Sequence, residues 1–89
     1  MKSRTTRAFR SRFEALPAEM RRQTEKAFRL WLENPNHPSL QFKRLHQGRS
    51  IDSVRVTRGW RALGIEQEKE IIWFWIGSHA DYDKLISRL

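Results

Sequence analysis

The sequence predicts an α+β fold in which an N-terminal helical hairpin packs on a small twisted antiparallel sheet of three or four strands, followed by a short C-terminal helix. Two observations carry this prediction. Apolar residues recur at helical spacing over the first third of the chain, and after residue 39 the pattern changes to the two-residue alternation of strands. With 89 residues, the chain is expected to form one domain over residues 1–89.

The helical part divides at a proline. Phe9, Phe13, Leu16 and Met20 lie on one face of a helix, which predicts a first helix over about residues 6–15, capped by Thr5 or Thr6. Proline is well tolerated in a first helical turn, so a second helix is expected over about 17–33. Its predicted buried stripe consists of Met20, Thr24, Ala27, Phe28 and Trp31. Asn34–Pro35 ends it, and residues 34–39 form a turn-rich connector.

The second half predicts strands and a last helix. The expected strands are a short one over Leu40–Leu45, then Ser53–Thr57, Trp60–Ile65 and the apolar Ile71–Ile76. The last of these has apolar residues on both faces, which is typical of a central strand. Strict alternation places Trp73 and Trp75 on one face and Phe74 on the other. A terminal helix is predicted over Asp81–Leu89, with Ser78 or Asp81 as its cap.

The composition limits the classes of function. The chain carries 18 Lys and Arg against 10 Asp and Glu, a formal charge of +8, and no cysteine. No apolar run approaches the roughly 20 residues that span a bilayer, and the basic N-terminus lacks the apolar segment of a signal peptide. Three scattered histidines form no metal motif. We therefore expect a cytoplasmic protein with an anionic partner (nucleic acid, ribosome or acidic protein) and with no membrane, metal or small-molecule cofactor.

Four segments of the chain form an ordered set of motifs. They are Asn34-Pro-x-His37-Pro-Ser-Leu40-x-Phe-Lys43-x-Leu45, Ser53-Val-Arg55-Val56, Gly59-Trp-Arg61-Ala-Leu-Gly64 and Trp73-Phe-Trp-Ile-Gly-Ser-His79-Ala-Asp-Tyr82-Asp-Lys-Leu85. Together they resemble the RelE/ParE superfamily of toxins from bacterial type II toxin–antitoxin pairs, and the resemblance runs from about residue 9 to residue 86.

The resemblance implies two N-terminal helices against a twisted antiparallel sheet, and two branches of function. RelE-like toxins enter the ribosome and cut mRNA at the aminoacyl site. ParE-like toxins share the fold, lack the catalytic residues and poison DNA gyrase. In both branches a neighbouring antitoxin neutralises the toxin. The leading expectation is a ribosome-dependent mRNA endoribonuclease that represses translation. The alternatives are a non-enzymatic gyrase inhibitor and an inactive RNA-binding relative.

The expected catalytic residues are Arg61, Arg55, His79 and Tyr82. Arg61 follows Gly59–Trp60 where RelE-like toxins carry Gly-Tyr-Arg, so the resemblance makes it a phosphate-stabilising arginine; the alternative is a surface arginine in a salt bridge. Arg55 lies one hairpin away, on the polar face of the preceding strand. Two cations on one sheet face repel each other unless an anion bridges them, which is a physical argument for a phosphate site.

The chain leaves the last strand at His79, near where catalytic RelE-like toxins place His or Arg together with Tyr. Imidazole suits acid–base work near neutral pH; the alternative role is capping of the terminal helix. Tyr82 either contacts the RNA or packs its ring on the core. RelE-like enzymes often carry a second basic residue where this chain has Ser53, two positions before Arg55.

Further cations are candidates for phosphate or RNA contact. Lys43 and Arg44 can replace the charge missing at Ser53, although the sequence leaves their strand phase open. The remaining candidates are Arg58 and Lys84. His37, between two prolines, is interpreted as structural, holding the connector by hydrogen bonds.

Overall fold

The computed structural model describes residues 2–46 and 48–88, in which a mixed sheet carries a helical hairpin on one face and a short helix on the other. The strand order is β1-β5-β4-β3-β2, with β1 parallel to β5 and all other neighbours antiparallel. The elements are β1 (Lys2–Thr5), α1 (Arg7–Glu14), α2 (Ala18–Glu33), a 3₁₀ turn (Pro38–Leu40), β2 (Lys43–His46), β3 (Ile51–Thr57), β4 (Trp60–Gln67), β5 (Glu70–Ser78) and α3 (His79–Ile86).

The helical hairpin agrees with the sequence prediction, and the α+β class is confirmed. Thr6 is the N-cap of α1, and its Oγ1 accepts a hydrogen bond of 3.0 Å from the backbone N–H of Phe9. Pro17 precedes the first residue of α2. Trp31 of α2 is 2% exposed and meets Trp73 of β5 edge to face at 5.4 Å between ring centroids. This aromatic contact joins the hairpin to the sheet.

The sheet has one strand more than predicted, because residues 2–5 form β1. The segment contains no apolar residue, so the sequence shows no hydrophobic alternation that would predict a strand. It is held instead by parallel pairing with β5 from Lys2↔Glu70 to Thr5↔Trp73. The hydroxyl of Ser3 also accepts a 3.0 Å hydrogen bond from the indole N–H of Trp73.

A bulge in β5 makes the predicted facing of its tryptophans wrong. Trp73 pairs with Gly64 and Trp75 with Leu63, so Phe74 is an extra residue between them. Trp73 therefore packs under the helical hairpin. Trp75 packs on the opposite face against Ile51, Leu63 and Tyr82, which form a second core. Gly64 is needed here, since a Cβ at this position would lie 2.8 Å from Cγ1 of Ile71 and Cε3 of Trp73.

The connector and β2 differ slightly from the prediction. The segment Pro38–Leu40 forms a 3₁₀ turn, so the strand predicted from Leu40 begins at Lys43. His37 has the structural role predicted for it: its Nδ1 accepts the backbone N–H of Ser39 at 3.2 Å and caps the turn.

The C-terminal helix α3 covers part of the second face of the sheet. Ser78 is its N-cap, accepting a 3.2 Å hydrogen bond from the N–H of Asp81, and the helix begins at His79, earlier than predicted. The predicted last residue, Leu89, lies outside the described residues. Tyr82, Leu85 and Ile86 pack into the second core. No helix within 2–46 and 48–88 is long and apolar enough to cross a membrane.

Candidate active site

Two arginines lie directly opposite each other on neighbouring strands. Arg55 of β3 and Arg61 of β4 are cross-strand partners, beside a register shift between Arg55 and Thr57. On β4, Leu63 packs into the second core, so Arg61 two residues earlier faces the same side, the side of α3. The sequence prediction that these two cations share a sheet face therefore agrees with the register.

The Arg61 guanidinium is fixed against the turn between β3 and β4. Its Nη1 donates to the carbonyl oxygens of Thr57 at 2.9 Å, Trp60 at 3.0 Å and Arg58 at 3.3 Å. Its Cζ also lies 6.0 Å from the ring centroid of Tyr82. Because backbone carbonyls carry no net charge, these contacts orient the guanidinium without neutralising it.

The electrostatics of the pair favour an anion. Burial lowers the pKa of Arg61, and the charge of Arg55 lowers it further. No carboxylate within the described chain lies within 4.0 Å of either guanidinium. Asp83 acts on the pKa of Arg61 in the opposite sense, but more weakly. Two adjacent cations, one of them partly desolvated and neither paired with a carboxylate of the described chain, would be stabilised by a bridging phosphate.

His79 begins α3 and is joined to the turn that holds Arg61. Its backbone N–H donates to the carbonyl of Gly59 at 2.8 Å, which ties α3 to the β3–β4 turn. The ring is 47% exposed, and its Nδ1 lies 3.1 Å from Oδ2 of Asp83. This carboxylate holds the imidazole orientation. The Nε2 of His79, which makes no hydrogen bond to any described residue, is the nitrogen available to a substrate.

Tyr82 is buried and adjoins both His79 and Arg61. It is 5% exposed, in a cluster with Ile51 and Leu63, and its ring centroid lies 5.8 Å from that of His79. The burial leaves the ring no open face for a stacked base. Of the two roles open from the sequence, the arrangement favours the packed one, in which Tyr82 positions its two neighbours.

The strand phase of Lys43 and Arg44, which the sequence left open, separates the two residues. Lys43 is the cross-strand partner of Ser53, and so it lies on the same face as Arg55. Arg44 is the partner of Asp52, one residue along, and points to the opposite face. The structure thus brings Lys43, but not Arg44, to the face of the arginine pair.

Arg44 belongs to a carboxylate network that sequence reasoning missed. Its Nε lies 2.5 Å from Oδ1 of Asp52, and its Nη2 pairs with Oε2 of Glu66. Asp52 is 2% exposed, and its Oδ2 is buried without a hydrogen-bond partner in the described chain. Burial and the neighbouring Glu66 raise the pKa of Asp52 to about 6, and the interaction with Asp52 lowers that of Glu66. The available signal was the spacing of Asp52 two residues before Val54, which places both side chains on the same face of β3.

The last two candidates, Arg58 and Lys84, lie on different elements. Arg58 is exposed in the β3–β4 turn, and its carbonyl accepts from Arg61, so it adjoins the pair. Lys84 is exposed, and helical spacing places it about opposite the buried stripe of Tyr82, Leu85 and Ile86. Lys84 is therefore directed away from the sheet.

Comparisons with known proteins agree on the family and the fold. The family model of the ParE-like toxin domain matches residues 18–84. A chain of the RelB–RelE antitoxin–toxin complex from Methanococcus jannaschii superposes with a TM-score of 0.71 at 10% identity, covering 92% of this chain and 96% of that one. No curated protein matches significantly.

Two Escherichia coli proteins give similar superpositions. YafQ from strain BL21(DE3) has a TM-score of 0.69 at 14% identity and covers 91% of this chain and 96% of its own. The isolated RelE toxin has a TM-score of 0.66 at 15% identity, with 98% and 96% covered. At these identities, the similarity shows the fold alone.

Proposed function

Because the chain belongs to the family of ParE-like toxin domains, we propose that it is the toxin of a type II toxin–antitoxin pair and acts as an endoribonuclease on ribosome-bound mRNA. The observation that carries the proposal is the arginine pair. Arg55 and Arg61 are cross-strand partners, and no carboxylate of the described chain lies within 4.0 Å of either guanidinium. The ring centroid of Tyr82 lies 6.0 Å from Cζ of Arg61 and 5.8 Å from the ring centroid of His79.

The proposed chemistry is attack of a ribose 2′-hydroxyl on the adjacent phosphorus. The new bond joins the 2′-oxygen to phosphorus and the bond to the 5′-oxygen breaks, which leaves a 2′,3′-cyclic phosphate and a 5′-hydroxyl. One proton leaves the 2′-hydroxyl and one reaches the 5′-oxygen. His79 transfers one of these protons through Nε2, while Asp83 holds its Nδ1, and solvent water exchanges the other proton.

The arginines act where negative charge develops. The Arg61 guanidinium is already oriented by the turn carbonyls and by Tyr82, so little reorganisation is needed when the phosphate passes through its five-coordinate state. Partial burial strengthens the interaction with the phosphate relative to bulk water. Arg55 and Lys43, on the same face, extend the positive surface along the RNA.

The experiment is primer-extension mapping on ribosomes paused at a defined codon. The wild-type protein should produce new 5′ ends at the aminoacyl site. Arg61→Ala should slow their appearance by about 10²- to 10³-fold, the usual cost of one transition-state charge donor. Arg29→Gln, an exposed helix arginine outside the site, is the matched control. Wild-type cleavage by Arg61→Ala would contradict the assignment.

A gyrase inhibitor of the ParE type is the second candidate. Two observations favour it: the family model that matches carries the ParE-like name, and Ser53 stands where RelE-like enzymes often have a cation. A supercoiling assay with purified gyrase separates the candidates. A ribonuclease leaves supercoiling unchanged, whereas a ParE-type inhibitor blocks it and leaves the paused mRNA intact.

An acidic or surface-covering antitoxin is the proposed protein partner, and the cytoplasm the proposed compartment. The +8 charge of the chain and the similarity to a chain of an antitoxin–toxin complex support the partner. Co-expression with the adjacent reading frame should relieve toxicity and allow co-purification. Failure of both would contradict the pairing.

A further inference from the structure

A second polar groove adjoins the arginine pair from the other side of β3. It has a volume of about 240 Å³, near the lower end of small-ligand sites, which start at roughly 300 Å³. It lies between α2, the 3₁₀ turn and the C-terminal half of β3. The residues lining it are Gln23, Lys26, Ala27, Leu30, Ser39, Leu40, Arg55, Val56 and Thr57.

The groove exists because β2 is short. The last pair between β2 and β3 is Lys43↔Ser53, and β3 continues to Thr57. Beyond Ser53, within the described residues, β3 has a strand neighbour on the β4 side only. An unpaired strand edge offers backbone donors and acceptors to a ligand.

The lining suits a nucleotide rather than a neutral apolar ligand. Lys26 contributes positive charge, Arg55 lies at the margin that the groove shares with the arginine pair, and no carboxylate is present among the described residues that line the groove. Ser39, Thr57 and Gln23 add hydroxyl and amide groups. Leu30 and Val56 supply apolar surface on which a base or ribose can lie.

We infer that this groove, with Lys26 as its cationic residue, binds a nucleotide of single-stranded RNA next to the phosphate held by Arg55 and Arg61. The inference rests on the proposed function for the identity of the RNA. Arg55 is common to the groove and to the pair, so one strand of RNA can cross β3 from one to the other.

The test is binding of a fluorescent single-stranded RNA oligonucleotide with 2′-O-methyl groups, which block 2′-hydroxyl attack. A phosphate contact on a single strand contributes a salt slope of about −0.7, which at 0.1 M salt is about fivefold in affinity relative to 1 M. Lys26→Gln should therefore weaken binding about fivefold at 0.1 M salt and reduce the slope by about 0.7. Arg29→Gln, one turn further along α2 and lining a different cleft, is the control and should change binding little.

The outcomes separate the groove from the activity. Equal losses in both variants, or none in Lys26→Gln, would overturn the inference. Competition by inorganic polyphosphate as strong as by RNA of matched charge would also overturn it, because the apolar surface would then contribute nothing. Lys26-dependent binding by a protein that does not cut mRNA would support the groove and reject the nuclease. Cleavage by Lys26→Gln with an unchanged KM would support the nuclease and reject the groove.

Discussion

Replacing Arg55 by glutamine should stabilise the protein while weakening its affinity for phosphate. Arg55 faces Arg61 directly across the sheet, and like charges in this position cost about 0.2–1 kcal/mol. Removing one charge should therefore raise the free energy of unfolding by about 0.5 kcal/mol. For a domain of this size, that corresponds to a rise in Tm of roughly 2–4 °C.

Phosphate should reverse the order of stability of the wild type and Arg55→Gln. If the pair binds phosphate with a Kd of about 10 mM, 100 mM phosphate stabilises the wild type by about 1.4 kcal/mol. Arg55→Gln lacks one of the two bridging cations and should gain much less. The variant is then the more stable protein in chloride, and the wild type the more stable in phosphate.

The assay is urea denaturation followed by circular dichroism, in chloride and in phosphate buffers of matched ionic strength. Arg29→Gln removes the same charge from an exposed helix position and should respond to phosphate as the wild type does. A lower stability of Arg55→Gln in chloride would show that the arginines do not repel each other. An equal gain from phosphate in all three proteins would show that the pair is not an anion site.

The other predictions concern the two faces of the sheet. Since the pKa of Asp52 is raised from 3.8 to about 6, its stabilising contribution is complete below pH 4 and is lost as the pH rises through 6. The wild type should lose up to about 3 kcal/mol of unfolding free energy over that window, with the lowered pKa of Glu66 acting mainly below pH 4.5; urea titrations should show no such fall for Asp52→Asn. Tyr82→Phe should retain cleavage because the ring is what supports Arg61, whereas Tyr82→Ala should unfold about 3–5 kcal/mol more easily in the same titrations; loss of cleavage in a folded Tyr82→Phe would assign the hydroxyl a role. Gly64→Ala should cost about 1–3 kcal/mol by overpacking against β5, and thermal melting at the wild-type Tm would contradict that.

The helical hairpin was predictable because its signals are local. A threonine cap, a proline between the helices and apolar residues at helical spacing all act within one turn of their own position. Thr6, Pro17 and the stripe from Met20 to Trp31 therefore placed α1 and α2 within one or two residues of their observed bounds. The hairpin from β3 to β4 was predictable for the same reason, and with it the shared face of Arg55 and Arg61.

The features that sequence reasoning missed depend on partners far away in the chain. β1 contains no apolar residue and exists because β5 offers it a free edge. The bulge at Phe74 turns Trp75 to the opposite face. Strict two-residue alternation in the sequence cannot predict a bulge, because the bulge depends on how β5 pairs with β4. The phase of Arg44 was set by its register with Asp52, and the same pairing revealed a buried carboxylate network that neutralises its charge.

The position of the candidate site follows from how incompletely the sheet is covered. The helical hairpin buries one face, but α3 is short and covers only part of the other, and β2 pairs with β3 only as far as Ser53. Arg61 lies at the boundary between the part of this face that α3 covers and the part that stays open. It is close enough to Tyr82 to be partly desolvated and close enough to the open part to meet a ligand. A cation in the core would cost more than the fold can supply, and one in open solvent would bind phosphate weakly. A short α3 and a short β2 thus place both the arginine pair and the groove at Lys26 where a strand of RNA has access to them.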